Sequence, residues 1–272
     1  MTEAAVPLLY EKSGAIATFT LNRPAARNAL TPELVCRLAD ALRDFAADPE
    51  LRVGILTGQG DKAFCAGSDL ATMLPLISGD RAAADEWDRR VLEEPFVMAA
   101  SSLRDYPLDK PLIAAVNGAC LAGGMEMLLG TDIRIAARSA SFGLPEVCRG
   151  LFASGGSTVR LPRQIPFIHA MDILLTGRRI SADEALSMNI VNKVVPDDEL
   201  MTTARDYARM IAANSPFAVQ QTKRSVMEGL GMERDAAFDS EQAIGSDVFG
   251  HVDAREGPLA FVEKRAAVWS DE

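Results

Sequence analysis

The sequence predicts one α/β core followed by a helical C-terminal segment. Three observations carry that expectation. First, short apolar runs closed by glycine, "VGILTG" (Val53–Gly58) and "KPLIAAVNG" (residues 110–118), read as strands buried on both faces. Second, strand and helix patterns alternate at roughly similar intervals, which points to stacked ββα or βαβ units. Third, the composition changes near Pro196, and from Asp197 onward nearly every segment has helical spacing.

Taken in order, residues 8–10 and 16–21 alternate around "KSG" and read as two strands joined by a tight turn. Thr31 is a good N-cap and Pro32 fits the first helical position. Leu34, Val35, Leu38, Ala41, Leu42 and Phe45 follow at helical spacing, so an amphipathic helix is expected to about Ala47. "GDKAFCAGSDL" (residues 60–70) reads as a small-residue loop, and residues 70–106 as a long polar and helical stretch. After the strand at 110–118, "GGMEMLLG" is expected to be helix and "DIRIAA" strand. Ser181 and Glu184 form a capping-box pattern, and a short strand is expected over residues 190–195. In the C-terminal part, "NSP" and "EGP" are the expected helix breaks. Residues 1–196 are expected to hold the active site, and residues 197–272 to form a helical region rather than a second enzyme domain.

Bulk properties narrow the function. The chain has 272 residues, 48% hydrophobic and 24% charged, ordinary for a globular protein and too apolar for disorder. Its formal net charge of −10 argues against binding a phosphate backbone, since that needs a basic face. No nucleic-acid partner is therefore expected. The N-terminus lacks a basic start with an apolar core, and no run of eighteen apolar residues occurs, so neither a secretory signal nor a membrane span is expected. The four cysteines, Cys36, Cys65, Cys120 and Cys148, show no CxxC spacing and read as free thiols of a reducing cytoplasm. No metal site is expected. Only His169 and His251 are available for histidine chemistry.

Two loops share one layout, a buried strand followed by a turn of small residues: "FCAGSDL" (64–70) and "ACLAGGME" (119–126). Such turns let a ligand approach the backbone closely, and one bare N–H from each would make an oxyanion hole for a thioester or other carbonyl oxygen. Small residues after strands also serve packing, so the pattern alone does not decide. Two carboxylates add to it. Glu126 lies on the first turn of the helix beginning at Gly123, and Glu146 lies in "SFGLPEV", a loop fixed by Gly143 and Pro145. Both acids could be solvated surface groups; if both enter one apolar cleft, their pKa values can separate into a base and an acid. No GxGxxG follows a strand, so a dinucleotide fold is not indicated.

The segment "KPLIAAVNGACLAGGMEMLLGTDIRIAARSASFGLPEV" closely resembles the enoyl-CoA hydratase/isomerase, or crotonase, superfamily. "FCAGSDL" is similar to that family's other hallmark loop, and "LNRPAARNALT" and "EGPLAFVEKRAAVW" to its end motifs. Four motifs in the right order, spanning about residues 8–269, make the resemblance specific. It implies a spiral of ββα repeats with a helical C-terminal region that makes trimers, paired into hexamers. It implies that Ser68 and Gly123 donate backbone N–H groups to the thioester oxygen, and that Glu126 and Glu146 are the catalytic acids. CoA is expected to meet Ala26 and the loop of Ala66, Ser68, Asp69 and Leu70, with Phe261 and Lys264 contributing from the C-terminus, commonly across a subunit boundary. No cofactor is implied beyond the CoA carried by the substrate.

Retention of both acids points to hydration of trans-2-enoyl-CoA to 3-hydroxyacyl-CoA. The alternatives are an isomerase, a dehydratase of a specialised acyl-CoA, or a non-catalytic acyl-CoA-binding paralogue, which would have no need of the acids. An RNA-binding or scaffold protein on this fold would need a basic face, which the acidic total opposes. One departure stands out: Ala71 occupies a place where many relatives have Lys or Arg, and Arg27 or Lys62 is the expected substitute for that phosphate contact. The acyl pocket is expected in residues 74–107, with Trp87, Phe96 and Met98, a trio that could equally be core.

Overall fold

The computed structural model of the chain describes residues 6–104, 106 and 108–270. In β2 (Ile16–Leu21) every second side chain, Ala17, Phe19 and Leu21, is buried. That is the period of a strand with one face on the core. β2 pairs antiparallel with β1 (Leu8–Ser13), which runs three residues past the expected end because its partner strand continues opposite it. Thr31 caps α1 (Pro32–Ala47): its hydroxyl accepts the Leu34 N–H, while Pro32 stands where no N–H is needed.

From there the chain winds so that each turn lays one strand in each of two sheets. β3 (Val53–Gly58) enters the first sheet and β4 (Ala63–Cys65) the second, and α2 (Met73–Ile77), α3 (Glu86–Glu93) and α4 (Pro95–Ser102) lead back. β5 (Leu112–Val116) and β6 (Ala119–Leu121) repeat the step, followed by α5 (Gly123–Leu128); β7 (Ile133–Ala137) and β8 (Ser141–Gly143) repeat it again. α6 (Ser157–Gln164) and α7 (Phe167–Thr176) then connect to β9 (Ile180–Ser181), α8 (Ala182–Ser187) and β10 (Lys193–Val195). The larger sheet has the order β1-β2-β3-β5-β7-β10 and is parallel from β2 onward. The smaller has the order β4-β6-β8-β9, with only β9 antiparallel. These are the stacked ββα turns the sequence led us to expect.

The larger sheet is covered on both faces, which is why its central strands read as continuous apolar runs. Leu56, Leu112, Ala114, Val116 and Ala136 face the main core with α1 and α5. Val53, Ile55, Ile113, Ala115 and Ile135 face the other way, onto Leu200, Ala204 and Ala208 of α9 (Leu200–Ala212). Beyond α9 come α10 (Pro216–Gly229), α11 (Arg234–Gly250) and α12 (Asp253–Glu263), with α10 and α11 packed on each other. No helix among the described residues is long and apolar enough to cross a membrane.

Several local expectations need correction. The loop at residues 60–70 contains β4, and the turn at 119–126 begins as β6; both are three-residue strands held by neighbours rather than by any pattern of their own. The stretch at 70–106 is three short helices, and Asp105, within it, lies outside the described residues, as does Pro107 at the end of the expected acyl region. Only Lys193–Val195 of the expected strand at 190–195 is strand: the Ile190 N–H is taken by the Ala185 carbonyl at the end of α8, and Asn192 meets Arg134 with its backbone N–H and its side-chain oxygen. "EGP" does not break a helix. Pro258 lies inside α12, and the chain turns earlier, between α11 and Asp253. "NSP" is a break: Ser215 caps α10, with Pro216 at its first position. The Ser181–Glu184 capping box forms in full.

Candidate active site

β4, β6 and β8 are parallel neighbours, so their C-terminal ends open on one edge of the small sheet. Strand ends of this kind are where open α/β folds hold ligands. Ser68 follows β4, Gly123 and Glu126 follow β6, and Glu146 follows β8. Three short strands therefore bring together residues up to 78 positions apart in sequence.

The first two loops meet at their backbones. Gly67 has a φ of 92°, and a methyl group added there would lie 2.8 Å from the Ala122 Cβ and 3.0 Å from the Gly123 nitrogen. Only glycine allows both that conformation and that approach. A methyl group on Gly123 would in turn stand 3.6 Å from the Ser68 nitrogen, so the two amides are close neighbours. Ala122 itself sits at a φ of 50°, a strained position for a residue with a side chain, and its N–H is tied to the Gly143 carbonyl at 3.0 Å. Hydrogen bonds from Leu30 N–H to the Gly67 carbonyl and from Asp69 N–H to the Leu30 carbonyl hold the loop on either side of Ser68. Among the described residues the Ser68 and Gly123 amides themselves find no acceptor.

The two acids lie in contrasting surroundings. Glu126 is only 8% exposed. Burial raises its pKa, and the Ser157 and Gly155 main chain and the charge of Arg160 offset part of that rise. The Ser157 N–H points at its Oε1 from 3.5 Å. Gly155 lies flat against the carboxylate: a methyl group there would come within 2.5 Å of Oε2. Glu146 stands on the 3-10 turn Pro145–Arg149, half-buried, its shielded Oε2 without a hydrogen-bond partner among the described residues. Burial raises its pKa as well, and the charge of Glu126 adds to the rise. Glu126 thus has hydrogen-bond donors for its carboxylate from a neighbouring turn, whereas the Glu146 Oε2 has none among the described residues.

A cavity of about 510 Å³ opens beside Ser68, Gly123 and Glu126. Phe96 and Met98 of α4 form one wall, as the acyl region at 74–107 led us to expect. Trp87 does not join them. Its ring lies under the guanidinium groups of Arg37, at 5.1 Å, and Arg90, at 5.9 Å, and faces a groove beside Tyr10. Glu146 does not line this cavity directly.

The residues expected to meet CoA fall into two groups. Ala26, on the exposed turn Pro24–Ala26, and the 66–70 loop run side by side, joined by a hydrogen bond from the Ala66 N–H to the Arg27 carbonyl. Asp69 bonds the Ala71 and Thr72 amides and pairs with Arg23 at 3.1 Å. Burial alone would raise its pKa, but those bonds outweigh it and hold the carboxyl low. Leu70 is exposed. Phe261 and Lys264, by contrast, do not line the cavity. They lie on and just past α12, which is anchored to the α9–α10 corner by a Ser215–Asp253 hydrogen bond and by Trp269, whose indole N–H donates to the Ala213 carbonyl. The sequence reading passed over Gly155, Ser157 and Arg160. The run "SGGST" (154–158) is the same kind of small-residue turn before a helix as the two loops that were noticed.

Solved structures share this fold. An enoyl-CoA hydratase from Mycobacterium tuberculosis matches with a TM-score of 0.86 at 37% identity, over 98% of this chain and 100% of that one. The fold is the crotonase fold, and it places the chain among enzymes built on stacked ββα turns. A family model described as enoyl-CoA hydratase/isomerase matches residues 11–272, and the chain belongs to that family. Enoyl-CoA hydratase EchA19 of Mycobacterium tuberculosis is 44% identical over 97% of this chain and 96% of its own length. The carnitinyl-CoA dehydratase of Salmonella typhi is 38% identical over 95% and 96%, respectively. The chain is accordingly an enzyme of the hydro-lyase type, with an acyl-CoA thioester as substrate.

Proposed function

We propose that the enzyme hydrates trans-2-enoyl-CoA to 3-hydroxyacyl-CoA, with Ser68 and Gly123 as amide donors and Glu126 and Glu146 as the acid–base pair. The observation that carries this reading is the meeting of two unbonded amides and a buried carboxylate on one cavity, with a second, half-buried carboxylate close enough to feel the first. The thioester oxygen accepts the Ser68 and Gly123 N–H groups, which stabilise the enolate-like charge formed when water adds at Cβ. Each such donor is worth about 2.7–4 kcal/mol in the transition state. Glu126, whose ionised form has hydrogen-bond donors and a nearby cation, takes the proton from water as its oxygen bonds to Cβ. Glu146, whose Oε2 lacks a hydrogen-bond partner among the described residues, delivers a proton to Cα. Acid–base help of this kind contributes about 10²–10⁴-fold.

The CoA moiety is placed along Ala26, Ala66, Ser68, Asp69 and Leu70, with Phe261 and Lys264 supplied by a neighbouring subunit of a homotrimer or hexamer. Residues 1–196 would then carry the chemistry, and 197–272 the assembly and part of the CoA contact. Three buried free thiols, Cys36, Cys65 and Cys120, fit a reducing, cytoplasmic setting. The carnitinyl-CoA dehydratase relative favours a second reading, the reverse reaction on a specialised acyl-CoA, for which the same groups would serve.

The test follows the enoyl-thioester absorbance with crotonyl-CoA, with longer and branched 2-enoyl-CoAs, and with 3-enoyl-CoAs. Loss of the 2-enoyl chromophore with a 3-hydroxyacyl product is expected. A protein that only converts 3-enoyl to 2-enoyl thioesters is an isomerase, and the hydration reading is then wrong.

A further inference from the structure

Two arginines tie the wall of the acyl cavity to the helix that carries Glu126, and neither touches the reacting atoms in the steps above. α4 ends at Ser102, with Leu103 in the left-handed region at a φ of 52°. The carbonyls at this helix end meet Arg160 of α6. Its Nη1 donates to the Ser102 carbonyl at 2.8 Å, and its Nη2 donates to the Leu103 carbonyl. A guanidinium suits that place, since the last turn of a helix leaves carbonyls without partners and carries partial negative charge. Nη1 also reaches the main-chain carbonyl of Glu126 at 3.4 Å. In the opposite direction Arg104, just past α4, donates to the Ser154 carbonyl at 2.9 Å, next to the Gly155 that lies against the Glu126 carboxylate. The end of α4, the turn before α6 and the middle of α5 are thereby clasped together around one acid. Ser102, Phe96 and Met98 also line the cavity, so the clasp joins the surface the acyl group touches to the proposed base.

We infer that Arg160 is a positioning residue of the reaction: by bridging the carbonyls of Ser102, Leu103 and Glu126 it fixes the acyl-lining helix α4 against α5, and so sets where the Glu126 carboxylate stands beside the bound enoyl chain. This rests on the reading of Glu126 as the base. The charge of Arg160 gives the role a second readout, because it lowers the pKa of Glu126 against the effect of burial. Among the described residues, the charged groups around Glu126 are Arg160 from α6, Glu146 from the turn after β8, and Arg104, which lines the same cavity from the end of α4. The remaining close partners are neutral: the main chain of Gly155 and the main chain and hydroxyl of Ser157.

The experiment compares the native full-length enzyme with Arg160→Met, Arg160→Lys and Glu126→Gln, measuring kcat and KM for 2-enoyl-CoA hydration from about pH 5 to pH 9. In Arg160→Met, kcat is expected to fall by about tenfold to a hundredfold, the scale of a misplaced catalytic group, while KM changes little. The acidic limb of kcat/KM moves to higher pH, since a glutamate deprived of a nearby cation ionises less readily. Arg160→Lys restores the acidic limb by keeping the charge, but kcat stays reduced because an ammonium cannot reproduce the planar fork. If Arg160→Met does not fold, the lysine variant decides. Native kcat and an unmoved acidic limb in the folded variants, with only the melting temperature altered, overturn the positioning role. Native activity in Glu126→Gln rejects the acid–base reading itself, whatever the arginine variants do.

Discussion

Glu126 is an acid kept in an apolar wall, and its stability and its chemistry pull in opposite directions. Burial raises its pKa and that of Glu146 above the ordinary carboxylate range. A folded-state pKa above the unfolded value means that the stabilising contribution is present below the unfolded pKa and is lost as pH rises through the folded one. Glu126→Gln and Glu146→Gln are therefore expected to melt higher than the native enzyme near neutral pH. That margin should shrink to nothing below about pH 4, where both carboxyls are protonated in either state. Melting curves at acid and neutral pH check this; equal margins at both would show that ionisation is not the cause. Gly155 is the other decisive single position. Its substitution by alanine would drive a methyl group onto the Glu126 Oε2, so a fall in kcat of about tenfold or more, or about 1.4 kcal/mol in the barrier, is expected in steady-state kinetics, with the fold retained.

At the level of elements, the site depends on two strand-end loops touching through their backbones. Gly67→Ala would place its methyl group against Ala122 and the Gly123 nitrogen and part the two amides. A loss of about 10²–10³ in kcat is expected, the usual cost of a missing oxyanion donor. Ser68→Ala, which keeps the backbone amide, should stay within a few-fold of native in the same assay. This also explains what the sequence made legible. Val53–Gly58, the strand at 112–116 and α1 were readable because burial on both faces, or along one helical stripe, prints a pattern over five residues or more. β4, β6 and β8 have three residues each. No periodicity fits in so short a run, and their pairing partners lie far off in sequence, so all three fall in stretches that read as loop. Pro258 is a related case: the "EGP" run looks like a stop, but its proline sits at the middle of α12 and the helix continues through it.

For the whole molecule, the acids and amide loops were legible through resemblance, whereas Gly155 and Arg160, joined to Glu126 only by tertiary packing, were not. For Trp87 the core alternative holds, since it packs against the main core and away from the acyl cavity; a helical stripe does not say which of two faces it meets. The surface also carries large apolar groups that one chain leaves open, including Phe249 at 82% and Phe261 at 86% exposure. Clusters of such groups mark interaction surfaces, and self-association in multiples of three is expected by light scattering. If Phe261 reaches a neighbour's CoA, Phe261→Ala raises KM with kcat preserved, the mark of lost uniform binding; unchanged KM in an intact assembly would remove it from the CoA site. The most direct measurement of the two-acid reaction is crotonyl-CoA hydration by the native enzyme, Glu126→Gln and Glu146→Gln at one pH. A drop of at least about a hundredfold in each variant is expected, on the scale of acid–base groups. Activity insensitive to both substitutions would contradict the mechanism.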